Sequence, residues 1–299
     1  MREIAISTTS FGEYDNSYVK LIKDKGFEIS MNPHGRKIKK DELLKLAKGA
    51  VGLIAGTEAI SDDVLKNLNL KVISRCGSCI ENIDIAAAKK RGIKVFRTPN
   101  APVVAVAELT LGIMLSILRK ISLMDKEIRD GQWNKKMGSL LSGKKVGIMG
   151  FGRIGKTVAK LLKPFGCEVA YCDPFVKITS YKKLSKGKLL KWADIVTIHV
   201  PNSKLLIGKK ELKMMKDGAF LINTSRVGVI DEASLYRFLK NRYLAGAALD
   251  VFSQEPYSGK LRKLDNVMLT PHIGSYAKEA RINMEREAVS NLLKGLKRI

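Results

Sequence analysis

The sequence predicts an α/β protein built from two doubly wound parallel sheets, and three observations carry that expectation. Short apolar runs suited to strands alternate with amphipathic helical runs almost without interruption. One strand ends on a glycine turn that opens directly into a helix, Gly150-Phe151-Gly152-Arg153-Ile154-Gly155. The chain has 299 residues, more than one hydrophobic core usually organises, and Pro99-Asn100-Ala101-Pro102 interrupts it before a long helical stretch.

Strands are expected first at 3–7, 27–30, 51–55, 72–74 and 94–96, with helices at 17–25, 40–48, 62–68 and 83–91. After the proline-rich boundary, one helix is expected from 103 to about 130. A second set of strands follows at 145–149, 168–172, 195–199, 219–223, 245–249 and 267–269. The last amphipathic run, 276–296, has no strand after it, so it can return to the first unit.

Residues 145–173 read as a Rossmann-type dinucleotide-binding unit. Gly150 permits a tight turn, Gly152 lets the backbone approach a pyrophosphate, and Gly155 lets helix pack on strand. The helix N-terminus offers free N–H groups to the anion. The next strand ends in Asp173, about 20 residues beyond the fingerprint, where a carboxylate accepts hydrogen bonds from ribose hydroxyls. Asp173 would repel a 2′-phosphate, and Pro174 and Phe175 supply no cation for one, so NAD is expected rather than NADP.

Composition narrows the class further. The N-terminal residues are charged and enter a strand, and the longest apolar stretch, 109–118, is too short to cross a bilayer, so a cytoplasmic protein with no membrane partner is expected. Cys76, Cys79, Cys167 and Cys172 are too few and too scattered for a secreted disulfide framework. Cys76-x-x-Cys79 has the spacing of a redox pair or half a zinc site, but Cys167 and Cys172 flank a strand of the nucleotide unit. No metal is expected; reduced thiols are the default and a regulatory disulfide the alternative.

Lys plus Arg number 54 against 29 Asp plus Glu, a formal charge of +25 that invites a nucleic-acid reading. The basic residues divide evenly, 18 in each third of the chain, and their densest runs lack interleaved aromatics, so nucleic-acid binding is not expected. The basic field would instead attract anionic substrates and cofactor.

His272 is one of three histidines, in Thr270-Pro271-His272-Ile273-Gly274-Ser275, downstream of Asn223-Thr224-Ser225-Arg226 and Gln254-Glu255-Pro256. Together these segments carry a base, a fixed cation and a carboxylate, the set needed to move hydride and proton on a small hydroxy acid. His199, at a strand end, and His34, in Asn32-Pro33-His34-Gly35, read as a packed residue and a surface turn.

From about residue 51 onward the chain resembles the D-isomer-specific 2-hydroxyacid dehydrogenase family, and within it the phosphoglycerate dehydrogenases. The matching segments include Gly56-Thr57-Glu58, Ser74-Arg75-Cys76-Gly77, Asn82-Ile83-Asp84, the glycine fingerprint, His199-Val200-Pro201, Asn223-Thr224-Ser225-Arg226, 246–252, Glu255-Pro256 and Thr270-Pro271-His272-Ile273-Gly274. The resemblance implies a flavodoxin-like substrate domain at 1–99, completed by 275–299, around an inserted Rossmann NAD-binding domain at 100–274. It also implies a homodimer, a role in serine biosynthesis, and the lack of the C-terminal regulatory domain that some phosphoglycerate dehydrogenases carry.

By the same resemblance His272 is the acid/base, Glu255 its carboxylate partner and Arg226 the clamp on the substrate carboxylate. Beyond Gly150, Gly152, Arg153, Ile154, Gly155 and Asp173, the implied cofactor contacts are Val200, Pro201, Thr224, Asp250, Gly274 and Thr110. The implied substrate contacts are Thr57, Arg75, Gly77 and Ser78, with backbone N–H groups at Gly77 and Ser78 and a phosphate contact at Arg75. The best single substrate is then 3-phospho-D-glycerate.

Two residues depart from the family pattern where glycine is usual, Cys79 in the substrate turn and Val227 directly after Arg226, and the stretch 202–208 is shorter than in typical relatives. A Cβ at Cys79 is expected to narrow its turn, and a β-branched Val227 to alter the loop presenting Arg226. Two other classes of function stay open: an NAD-sensing corepressor or scaffold with a dehydrogenase fold, and a nucleic-acid binder.

Overall fold

The computed structural model describes residues 2–177 and 179–297 and divides into two compact units, Met1–Pro102 with Ser275–Ile299, and Val103–Gly274. The first unit holds strands β1 (Arg2–Ile6), β2 (Phe27–Met31), β3 (Ala50–Ala55), β4 (Val72–Arg75) and β5 (Lys94–Arg97). They form one parallel sheet in the order β2-β1-β3-β4-β5, the flavodoxin-like arrangement. Helices α1 (Ser17–Asp24), α2 (Lys40–Leu46), α3 (Asp62–Leu65) and α4 (Ile85–Lys90) connect the strands. Asp84 starts α4 by accepting the Ala87 N–H at 2.9 Å, so this helix begins two residues later than its apolar pattern suggests.

The second unit contains α5 (Val103–Arg119), α6 (Ile121–Arg129), β6 (Lys145–Met149), α7 (Arg153–Leu162), β7 (Glu168–Cys172), β8 (Lys182–Lys183), α8 (Lys186–Trp192) and β9 (Ile195–Ile198). It continues with α9 (Lys209–Met214), β10 (Phe220–Asn223), α10 (Glu232–Lys240), β11 (Gly246–Leu249) and β12 (Val267–Leu269). The order β12-β11-β10-β9-β6-β7-β8 is all parallel, with the strand order reversing between β6 and β9. At such a switch point the C-terminal strand ends open a crevice for a ligand. One face packs α5 and α7 through Ile113, Met114, Ile117, Val158, Ala159 and Leu162; the other packs α8, α9 and α10 through Leu189, Leu190, Leu212, Leu235 and Leu239.

The last helix, α11 (Lys278–Lys297), packs on the first unit's own sheet, where Ala288, Val289 and Leu292 join Ile4, Ile54 and Val72. Small residues allow the close approach: a Cβ on Gly295 would lie 2.9 Å from Val72 and Phe96 side-chain atoms. No helix among the described residues is long and apolar enough to cross a membrane.

Two expectations need correction. The single helix expected at 103–130 is two, broken at Lys120, whose φ is 55°. The cause is distant in sequence: Ser139 N–H donates to Leu118 O at 2.9 Å, taking the carbonyl that would bond four residues ahead in a continuing helix. Gly138 makes this return possible, because a Cβ there would lie 2.7 Å from Leu118 O. The second correction is β8, an exposed two-residue edge strand paired with Ala170 and Tyr171, which carries no apolar signal.

Candidate active site

Three neighbouring strands of the larger sheet deliver the acid/base set to one edge. The chain leaving β10 carries Arg226, that leaving β11 carries Asp250 and Glu255, and that leaving β12 carries His272. Adjacent strands lie ~4.8 Å apart, so β10 and β12 are separated by roughly 10 Å with β11 between.

His272 Nδ1 lies 3.1 and 2.9 Å from Glu255 Oε1 and Oε2. A carboxylate at Nδ1 keeps the proton of a neutral ring on that nitrogen and leaves Nε2 as the one that can accept another. The imidazole is 57 % exposed and the carboxylate 36 %, so Glu255 acts here chiefly by orienting the ring, with solvent screening the charge attraction. Glu255 Oε1 also accepts the Phe252 N–H at 3.2 Å, which ties the carboxylate to its own loop.

The loop bearing His272 is held from beneath by Asp250, which is buried. Its Oδ1 accepts from Thr270 Oγ1 at 2.6 Å and Ile273 N at 2.8 Å, and its Oδ2 from Gly274 N at 2.8 Å. His272 itself sits at φ 55°, a left-handed conformation that costs on the order of 1–2 kcal/mol outside glycine. Charge-assisted hydrogen bonds on both sides of the residue hold it there. This anchoring role of Asp250 is not legible in the sequence, where its partners lie 20 and more residues downstream.

Asn223 organises the Arg226 turn in the same way. Its Oδ1 accepts from Ser225 N at 3.0 Å and Ser225 Oγ at 2.8 Å, and its Nδ2 donates to Arg226 O at 3.2 Å. The Arg226 guanidinium donates from Nη1 to Ser225 O at 2.7 Å, while Nε is buried with no partner. No carboxylate among the described residues pairs with this guanidinium, which leaves its fork able to take a carboxylate ligand. The left-handed position of the turn falls on Gly228, φ 73°, and not on Val227, so the β-branched residue is accommodated without strain.

The glycine turn fits a dinucleotide. Gly150 has φ 89°, and a Cβ there would lie 2.4 Å from His199 O; a Cβ on Gly155 would lie 2.2 Å from Gly150 O. Gly152 faces open space, with nothing within 4 Å of the Cβ position, and it precedes α7 without a side-chain cap. The first N–H groups of α7 are therefore free for an anion. Arg153 is exposed and Ile154 half-buried beside them. Asp173 Oδ2 accepts the Phe151 N–H at 2.7 Å, and Oδ1 accepts those of Phe175 at 2.8 Å and Val176 at 3.1 Å. Burial pushes this carboxyl pKa up, but the three N–H groups and Lys183 outweigh it and hold it below the usual range.

Val200 and exposed Pro201 follow β9 at the switch point, and Gly274 is buried against Asp250. Thr110 is wholly buried: its hydroxyl donates to Val106 O at 2.7 Å and accepts from Thr224 Oγ1 at 2.9 Å. Its hydroxyl is therefore engaged on both sides within the fold. His199 is buried too, with Nε2 at 3.0 Å from Thr197 Oγ1, Nδ1 unpartnered and the pKa pushed down by burial to about 3. His34 lies exposed on a surface turn.

In the first unit, the loops after β3 and β4 share one sheet edge. Thr57 is exposed, and the turn after Arg75 reverses at Gly77, φ 150°. Gly77 O accepts from Thr98 N at 3.0 Å and Ser78 O from Arg97 Nη1 at 3.3 Å, while the N–H groups of Ser78 and Cys79 have no partner among the described residues. Free N–H groups of this kind suit a carboxylate. The left-handed position again falls on glycine, so Cys79 sits in its turn without backbone strain. The Arg75 guanidinium folds over Gly77, donates to Cys76 O and leaves Nε buried without a partner; burial pushes its pKa down. Buried Glu58 accepts from Ser7 Oγ and from Gly56 N at 3.1 Å, a bracing role that the motif does not reveal. All four cysteines are free, and burial pushes the Cys76 thiol up to about 11.

Residues 111–274 match the family described as D-isomer specific 2-hydroxyacid dehydrogenase, NAD binding domain. The chain is 38 % identical over 295 residues to a glyoxylate reductase of Thermococcus litoralis, covering 92 % of this chain and 89 % of that one. It is 41 % identical over 243 residues to a D-3-phosphoglycerate dehydrogenase of Archaeoglobus fulgidus, covering 76 % of this chain but only 46 % of that one, so it spans about half the length of this relative. Among solved structures, the TT0316 protein from Thermus thermophilus superposes with a TM-score of 0.93 at 35 % identity, covering 99 % of this chain and 97 % of that one. With the nucleotide fold, the glycine turn and the three loops at the sheet edge in agreement, the chain belongs to the D-isomer-specific 2-hydroxyacid dehydrogenases, and its larger unit is their NAD-binding domain.

Proposed function

We propose that the protein is an oxidoreductase of small D-2-hydroxy acids and their 2-keto partners, with NAD as the hydride carrier. The observation that carries this reading is the Glu255–His272 pair, 2.9 Å apart, on the same sheet edge as an unpaired Arg226 guanidinium. When bound, NAD supplies the acceptor or donor of the hydride. Its pyrophosphate would lie on Gly150, Gly152, Arg153, Ile154 and Gly155, its adenosine ribose on Asp173, and the rest along Val200, Pro201, Thr224, Asp250 and Gly274.

In hydroxy-acid oxidation neutral His272 takes the hydroxyl proton at Nε2, and in keto-acid reduction the imidazolium returns it. Glu255 fixes the tautomer and the orientation of the ring. Arg226 holds the substrate carboxylate in a two-point grip and polarises the adjacent carbonyl. Within the first unit, Thr57, Gly77 and Ser78 are proposed by themselves as a carboxylate-binding turn, supported by the N–H groups of Ser78 and Cys79 that have no partner among the described residues.

For the substrate we keep 3-phospho-D-glycerate, supported by the cationic Arg75 and the basic field of the chain. A second reading, glyoxylate or hydroxypyruvate, is favoured by the near full-length match to a glyoxylate reductase. We further propose a cytoplasmic homodimer; the exposed side chains of Ile121, Ile128, Trp133, Met137 and Leu140, close together in the chain, support a protein interface there.

A panel assay tests these proposals, following NADH with 3-phosphoglycerate, glycerate and lactate, and NADH loss with glyoxylate and hydroxypyruvate. His272→Ala should lower turnover by about 100-fold or more while NAD still binds. Full activity of that variant would remove His272 as the base. Tight NAD binding with no turnover of any acid would instead support a sensor or scaffold.

A further inference from the structure

We infer that the first unit carries a binding site for a short-chain monocarboxylate with an apolar tail, in a cavity of about 170 Å³ between the loop after β1 and the start of α11. Every residue lining it belongs to this unit. The strand order β2-β1-β3-β4-β5 reverses between β1 and β3, and at such a switch point a ligand crevice opens beyond the C-terminal strand ends. Ser10, Glu13 and Tyr14, on the loop leaving β1, form one side of the cavity. Thr57, Gly77 and Ser78, the proposed carboxylate-binding turn, line no part of it, so the two sites are distinct.

Arg281 ties the two walls together. Its Nε donates to buried Glu285 at 2.7 Å, and its Nη2 donates to Thr8 Oγ1 at 3.0 Å and to Thr9 O. Glu285 also accepts the Gly12 N–H at 3.0 Å. These bonds clamp the β1 loop onto α11, so the cavity is formed before any ligand arrives and little ordering cost falls on binding. Nη1 is the one guanidinium nitrogen with no partner among the described residues, and Arg281 lines the cavity, which leaves the two Nη1 hydrogens for a ligand.

The rest of the lining selects the ligand class. Ala277 and Lys278, where α11 begins, both line the cavity, and no side chain among the described residues caps the first N–H groups of this 20-residue helix. The positive end of α11 therefore faces the same space as Arg281 Nη1, and both favour an anion. Glu285 balances Arg281, and exposed Glu13 balances exposed Lys278, so the lining is neutral overall and admits one negative charge rather than the several of a phosphate. Tyr14, Tyr276 and Met284 add apolar surface for a short tail. A cavity of about 150 Å³ holds benzene, so 170 Å³ suits a molecule of about six or seven non-hydrogen atoms, the size of butyrate or valerate.

The test is calorimetric titration of the full chain, without NAD, with butyrate, butyramide and 2-aminobutyrate; its readout is binding, so it stands or falls independently of turnover. Saturable binding of one butyrate per chain is expected, with butyramide weaker by about tenfold or more because it lacks the charge. Arg281→Lys keeps a cation beside Glu285 but gives up the Nη1 contact and should weaken butyrate by about tenfold. The double variant Tyr276→Ala, Lys278→Gln, at exposed positions, should weaken it in the same direction and covers the case in which the Arg281 change impairs folding. Arg226→Ala should leave it unchanged. No saturable binding by the parent protein, or unaltered binding in both folded variants, would overturn the assignment. Loss of binding in Arg226→Ala would overturn it equally by placing the acid at the proposed substrate clamp, and tighter binding of 2-aminobutyrate than of butyrate would replace the monocarboxylate with a zwitterion seated on Glu13.

Discussion

Replacing His199 by Gln should make the larger unit less sensitive to mild acid than the parent protein. The buried imidazole has a pKa of about 3 against 6.5 for an exposed one, because burial opposes the charged form. Between these values the unfolded chain binds a proton that the folded protein refuses. The histidine's contribution is therefore intact above about pH 6.5 and is lost as pH falls toward 3. A difference of about 3.5 pH units corresponds to ~5 kcal/mol over the whole window, and about 2 kcal/mol is lost by pH 5. That is a sizeable part of the roughly 5–15 kcal/mol typical of a folded domain.

Gln retains a partner for Thr197 Oγ1 but has no proton to gain. The variant should be less stable than the parent near neutrality, by about 1–3 kcal/mol from altered packing, and the gap should narrow by ~2 kcal/mol near pH 5. Urea unfolding followed by tryptophan fluorescence measures this directly, since both tryptophans, Trp133 and Trp192, belong to the larger unit. A gap of the same size at both pH values would show that His199 does not titrate as its burial requires. The result bears on the cofactor site as well, because the His199 carbonyl is what a Cβ at Gly150 would strike.

Gly150→Ala should lose NAD binding and destabilise the unit by at least ~2 kcal/mol, since it combines φ 89° with a backbone atom 2.4 Å from the new Cβ; titration with NAD and thermal unfolding read the two effects. Arg281→Ala removes the guanidinium that bonds Glu285 at 2.7 Å and also reaches Thr8 and Thr9, leaving a carboxylate 1 % exposed with only the Gly12 N–H. A loss of about 3 kcal/mol is expected in thermal unfolding at neutral pH. Burial already raises the Glu285 pKa in the folded protein, so the folded state binds that proton better than the unfolded chain, and the deficit should shrink as pH falls.

Local signals were the ones that the sequence displayed. The strand, turn and helix of the glycine fingerprint are contiguous, so β6, α7 and β7 could be placed from residue order alone, although the contact that demands Gly150, the His199 carbonyl, comes from a distant strand end. The break at Lys120 could not, because its cause is Ser139, which returns after an excursion of about twenty residues. The Glu255–His272 contact spans 17 positions with no periodic relation, and only family resemblance joined the two.

The three loops that carry the acid/base set are also one hydrogen-bonded system. The Asp250 N–H donates to Asn223 O at 2.9 Å, which ties the end of β11 to the residue whose side chain shapes the Arg226 turn. The Asp250 carboxylate in turn holds Ile273 and Gly274, on the far side of His272. Arg226 and His272, the proposed clamp and base, are thus set by a single chain, Asn223 to Asp250 to the His272 loop, so a change at either anchor should displace both groups. Asn223→Ala and Asp250→Ala should each lower kcat, and their combined effect should fall short of the sum by on the order of 0.5–3 kcal/mol, as expected for residues in one network. Circular dichroism and thermal unfolding separate this from simple unfolding, since NAD affinity is expected to change as well when Asp250, a proposed cofactor contact, is removed. Strict additivity, in variants that remain folded, would mean that Arg226 and His272 are positioned independently.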